Sequence, residues 1–142
     1  EKVEKISEEV KPKEYDGVII DAREISYEPQ LMPVIMAKSS MDEAPKVVFA
    51  PAMVDEKYVQ RKGAVVANVA TDTQLQTILQ KWGIKHPLKV KATAYDDVTG
   101  GIIISRDDAI KIAVANEKTH FLEKGNVIIL FNPSAGSLSL GP

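Results

Sequence analysis

The residues best placed to do chemistry in this chain are Asp21 and Arg23, two positions apart at the end of the apolar run Gly17-Val18-Ile19-Ile20. Side chains alternate with period two along an extended strand, so this carboxylate and guanidinium point to the same side. A buried strand that delivers an acid and a base to its C-terminal edge could hold a polar ligand there. The same pair could equally be an ion pair that fixes the turn toward Pro29, and this reading is the preferred one. His86 and His120 stand alone at loop edges, without the i, i+4 spacing or the third ligand that a metal site needs. Asp96, Asp97 and Thr99 precede Gly100-Gly101, but lack the alternating acids and closing glutamate of a calcium loop, so a turn is expected. Those glycines precede a strand and not a helix, which excludes a phosphate cradle. No serine lies in a nucleophile elbow. Trp82, Tyr58 and Phe121 are assigned to the core. The chain therefore offers no catalytic residue, no metal ligand set and no cofactor site, and a small hydrolase lacks its nucleophile–base pair.

The elements that must position Asp21 and Arg23 follow from periodicity. Gly17–Ala22 is the first strand. Pro29 and Pro33 then force extended backbone, with a second strand over Val34–Met36, and 37–45 reads as a surface loop or hairpin. KVVFA at 46–50 is a short strand closed by Pro51. Asp55 caps a short helix that Gly63 ends. Ala64–Ala70 is a further strand. Thr71 and Gln74 form a capping-box pattern for a helix through Trp82, whose Leu75, Ile78, Leu79 and Trp82 share one face.

His86–Tyr95 alternates Leu88, Val90, Ala92 and Ala94 inward with Lys89, Lys91, Thr93 and Tyr95 outward. Ile102–Ile104 is a buried strand. Ser105 with Asp108 opens a helix to about Asn116, with Ala109, Ile110, Ala113 and Val114 facing the sheet. Val127–Phe131 is the last core strand. The expected fold is α+β, with α/β as the alternative: a single mixed sheet of about five to seven strands with two to three helices packed on it. The near-continuous apolar strands imply a sheet covered on both faces.

At 142 residues, with 44% hydrophobic and 27% charged content, the chain suits one domain with a sizeable core. Its net charge of −2 is made of alternating acids and bases, so no electrostatic footprint for nucleic acid exists. The absence of cysteine excludes disulfides and thiol chemistry. Apolar runs of about five residues fall far short of the roughly 20 that span a bilayer. A chain that opens at Glu1 without methionine is expected to be a mature protein whose leader has been removed, or an excised piece. The single domain is placed at 15–132.

The flanks differ from it. Residues 1–14 are charged, with Val3, Ile6 and Val10 at helical spacing and Pro12 as a stop; alone they bury too little to offset ordering, so they are expected to dock on a neighbouring copy. Residues 133–142 are rich in Gly and Ser, and Leu138 and Leu140 alternate with Ser137, Ser139 and Gly141 as an edge-adding strand would.

Residues 15–35, YDGVIIDAREISYEPQLMPVI, resemble a recurring bacterial cell-envelope segment of the form Y-x-G-L-I-I-D-A-R-G-L-G-x-x-P-A-L-x-P-x-I. HPLKVKATA at 86–94, IIISRDDAIKI at 102–112 and FLEKGNVIIL at 121–130 are similar to later stretches of the same family, in order, over about 115 residues. The resemblance implies a secreted protein, periplasmic, outer-membrane-associated or extracellular. Many members of that family carry the domain after a flagellar-type lipoprotein module. The resemblance carries over no catalytic residue. This chain departs from the pattern at Glu24-Ile25-Ser26, where the family has Gly-Leu-Gly, and at Gly125, where it has Cys. The expectation is that the charged segment 1–14 takes the place of the lipoprotein module. The expectation is a non-enzymatic structural subunit of the envelope or exterior whose partners are copies of itself, joined into a ring or filament through the terminal segments, with other envelope proteins as further partners. The alternative is a periplasmic module that binds a polar ligand or glycan at the Asp21/Arg23 edge.

Overall fold

The computed structural model describes residues 14–39, 43–96 and 98–133. The expected assembly contacts Val3, Ile6, Val10, Leu138 and Leu140, and Asp97 of the turn, lie outside them. The described elements form one mixed seven-stranded sheet with three α-helices. The strands are β1 Gly17–Asp21, β2 Ile35–Lys38, β3 Lys46–Phe49, β4 Ala67–Val69, β5 Pro87–Asp96, β6 Gly101–Ser105 and β7 Val127–Leu130. The helices are α1 Glu56–Lys62, α2 Asp72–Trp82 and α3 Arg106–Thr119, with a 3₁₀ turn at Pro51–Met53.

The spatial order is β3-β2-β6-β5-β1-β7-β4. β4, β7, β1 and β5 run parallel to one another. β6 is antiparallel to β5 and parallel to β2, and β3 closes the other end antiparallel to β2. The apolar runs VII, VIIL and GIII take the inner positions β1, β7 and β6, because strands buried on both faces have no need of polar alternation. The first face buries Val18, Ile20, Val90, Ile102, Ile104, Val127 and Ile129 beneath Ile112 and Ala115 of α3, Phe121 and Leu122, with Tyr58 and Val59 of α1 packed against them. The second face buries Ile19, Ile128 and Leu130 beneath Leu75 of α2, flanked by Ile78, Leu79 and Trp82.

Helix boundaries follow their caps. Asp55 accepts from the Lys57 N–H, Thr71 from Gln74 and Ser105 from Asp108. Gly63 and Gly83 end α1 and α2 in the left-handed conformation that glycine adopts without strain. The second half of the capping box is different from the expectation: Gln74 reaches past Thr71 to accept from the Ala70 N–H at 2.8 Å.

Two orientations depart from the sequence pattern. In β5 the alternation holds from Leu88 to Ala92, then a bulge sets Thr93 and Ala94 against a single residue of β6. The Thr93 hydroxyl donates to the Ile103 carbonyl at 3.1 Å, the face of the strand switches, and Tyr95 turns onto the first-face core while Ala94 is exposed. In α3 the residues that face the sheet are Ile112 and Ala115, with Ala109 partly buried, whereas Ile110 and Val114 are 50% and 56% exposed. The cover over the second face is also unequal. α2 contacts the half built from β1, β7 and β4; on the β5–β6 half, Lys89, Lys91, Thr93 and Ala94 are exposed.

Candidate functional site

Asp21 ends β1 at the carboxyl edge of the parallel strands, opposite Lys91 of β5 and Leu130 of β7. This is the side of an open α/β sheet on which ligands commonly bind. The Asp21 side chain lies on the α2 face with Ile19, and together with Lys89, Val90, Lys91, Asp108 and Leu130 it lines a shallow depression of about 320 Å³.

Arg23 folds back on Asp21. Its Nε donates to Oδ1 at 2.9 Å, its Nη2 to Oδ2 at 2.8 Å, and its backbone N–H to Oδ1 at 3.1 Å. This bidentate fork is the strong form of the pair, and it holds the Asp21 carboxyl below the usual carboxylate range. The pair is 30% and 49% exposed at its side chains. Beside it Lys91 pairs with Glu24, which raises the lysine's affinity for its proton. Asp21, Arg23, Glu24 and Lys91 are therefore matched to one another, and a ligand that takes any of these four would have to displace an intramolecular partner.

Beyond Arg23 the chain forms a polar lock that sequence reasoning missed. The Tyr27 hydroxyl donates to Asn68 Oδ1 at 2.7 Å and accepts from the Gln30 N–H at 3.1 Å. Asn68 Nδ2 donates to the Gln30 carbonyl at 2.8 Å. Gln30 Nε2 donates to the Tyr95 hydroxyl at 2.9 Å, and the two tyrosine rings meet edge to face at 6.0 Å. The segment between Pro29 and Pro33, which bends at Leu31 and Met32 where extended backbone was expected, is thus pinned to β4 and β5 across the strand ends. Burial raises the Tyr27 pKa, as desolvation does for any phenol. One signal was present: Asn68 is a carboxamide in the otherwise apolar stretch AVVANVA, and a half-buried amide needs partners.

At the opposite end of the sheet, Asp16 accepts from the Lys85 and His86 N–H groups, both at 2.8 Å. Its carbonyl accepts from Asn126 Nδ2 at 2.9 Å. The Lys62 ammonium donates to Asn126 Oδ1 and to the Lys124 carbonyl and sits 4.4 Å from the Trp82 ring. Those partners favour the charged amine; burial opposes it more strongly and brings the Lys62 pKa down to about 8.

The remaining candidates separate. His86 begins the chain into β5, and His120 caps α3 with φ of 55°; they do not meet. Asp96 spends its carboxylate on the Val98 N–H and the Thr99 hydroxyl, and its carbonyl on the Gly100 N–H, which makes the glycine pair part of a turn. Among the described residues no cluster of three metal-ligating acids or histidines occurs, and no helix is long and apolar enough to cross a membrane.

A search of curated proteins finds no match to this chain. A family model, described as Treponema pallidum Tp0624, second domain, matches residues 17–133, which runs from the first residue of β1 to just beyond β7. The chain belongs to the family of the second domain of Treponema pallidum Tp0624.

Proposed function

We propose that this domain is a non-enzymatic structural subunit of the bacterial cell envelope or cell exterior, and that copies of it associate into a ring or filament through a terminal segment. The observation that carries the reading is the open edge at β3. No described strand pairs with its outer side, and Val47 within it is 61% exposed. An edge of this kind is a template for another strand unless it is covered. The Leu138/Leu140 alternation in residues 133–142 has the period that strand addition uses, in which main-chain hydrogen bonds supply affinity. A head-to-tail contact of that form gives an open polymer unless its rotation closes a ring. Removal of residues 134–142 abolishes the assembly on this reading; sedimentation velocity or electron microscopy that finds the shortened chain still polymerised contradicts it. The resemblance of the segment around Asp21 to envelope domains that follow flagellar-type lipoprotein modules supports the placement, secreted and periplasmic, outer-membrane-associated or extracellular.

A second reading takes the depression beside Asp21 as a site for a polar ligand or glycan, on the strength of its place at the strand ends. It requires Arg23 to leave Asp21, which makes it the weaker of the two. An Arg23→Ala chain that keeps full affinity for a bound glycan would sink it.

A further inference from the structure

Between α3 and the edge strand β3 runs an apolar groove of about 400 Å³. Val47, Val48 and Met53 form one wall, Ala109, Ile110 and Ala113 the other, and the cations Lys46 and Arg106 also line it. The exposed Val47, Met53 and Ile110 gather here, three of the seven large apolar side chains that the described surface leaves open. We infer that this groove seats residues 1–10 of the same chain, with Val3, Ile6 and Val10 turned inward. The inference goes beyond the self-association reading and does not depend on it.

Three observations lead to that occupant. The first is where the chain enters the fold. The Tyr15 carbonyl accepts from the Thr119 hydroxyl at 2.6 Å, and Thr119 is the last residue of α3. Asn116 and Leu122, which line the groove, lie three residues to either side of it. Residues before Tyr15 therefore leave the fold within about one helical turn, ~5 Å, of the groove's end. The second is length. Residues 11–14 can span up to ~13 Å when extended. The apolar stripe from Val3 to Val10 spans about 10 Å of helix, which fits within the stretch of α3 from Arg106 to Asn116 that forms the wall.

The third observation is chemistry. Val3, Ile6 and Val10 follow the 3- and 4-residue steps of the helix-in-groove mode. Residues 1–10 carry four glutamates against two lysines, opposite in sign to Lys46 and Arg106 at the groove. The short tether sets an effective concentration in the millimolar range, which favours the chain's own groove over a neighbour's.

The chain has no cysteine, so Ser7→Cys carries a single nitroxide label beside the apolar stripe. In dilute, isotope-labelled full-length protein the methyl resonances of Val47, Ile110 and Val114 broaden, and an added Ile6→Asp change restores them. In an equal mixture of spin-labelled, isotopically silent chains with isotope-labelled chains lacking the nitroxide, those resonances stay sharp. Broadening in the mixture assigns the seat to a neighbouring copy, and no broadening in either sample places the segment elsewhere; both outcomes overturn the inference. A chain that passes this test yet stays monomeric at high concentration would contradict the self-association reading alone.

Discussion

The Arg23 fork is where one side chain's chemistry is most exposed to test. Arg23→Ala removes both donors from Asp21 and leaves a partly exposed carboxylate, so the cost at neutral pH is at most ~1 kcal/mol, the scale of a surface pair. Its pH dependence has a fixed sign. Asp21 titrates lower in the folded state than its ordinary 3.8, so its contribution is full above that value and disappears as pH falls through the lowered folded pKa. Thermal melts of the two proteins should differ at neutral pH and converge in strong acid. Lys62 has the opposite character. Its folded pKa of about 8 lies below the ordinary 10.5, so between those values the unfolded chain holds the proton that the folded one has released, and stability rises with pH across that window. The rise should be smaller in Lys62→Met melts. Asn68→Ala strips partners from the Tyr27 hydroxyl and the Gln30 carbonyl, and half-buried groups left unpaired cost ~1–3 kcal/mol. Urea titration measures it; an unchanged midpoint would mean that the lock carries no stability.

At the level of elements, what was legible in the chain is whatever is encoded locally. Asp55, Thr71 and Ser105 mark helix starts, and Gly63 and Gly83 mark ends, because capping depends on residues within one turn. Ser105→Ala should therefore lower stability by ~1 kcal/mol in chemical denaturation. The apolar runs of β1, β6 and β7 announced buried strands. What was not legible depends on distant partners. The β5 bulge is set by pairing with β6, so the inward position passes from Ala94 to Tyr95 without any local signal. In α3, Ile110 and Val114 sit at the same helical spacing as a core pair, and only the path of the helix over β2 and β6 selects Ile112 and Ala115 instead. The Asp21–Arg23 pair was readable as a turn anchor but not from strand period, because β1 ends at Asp21 and Arg23 sits in the turn that follows; the Tyr27–Asn68–Gln30 lock was not legible, since Tyr27 and Asn68 are 41 residues apart.

For the molecule as a whole, matched charges stand at the strand ends, and one cluster of exposed apolar side chains, Val47, Met53 and Ile110, lies along the β3 edge and α3. Asp21, Arg23, Glu24 and Lys91 satisfy one another, which makes that region a brace for the loop locked by Tyr27. Val47, Met53 and Ile110 have no such closure among the described residues. The two flanking segments carry two different periods, helical in residues 1–10 and alternating in 137–141, and the β3 region offers a groove for the first and a strand edge for the second. The most direct test of the structural-subunit proposal is sedimentation velocity on the full chain and on the chain without residues 134–142, over a series of concentrations. Concentration-dependent assemblies of the full chain and a single monomer boundary after truncation are the expected result. A monomeric full chain, or assemblies that persist without those residues, would contradict it.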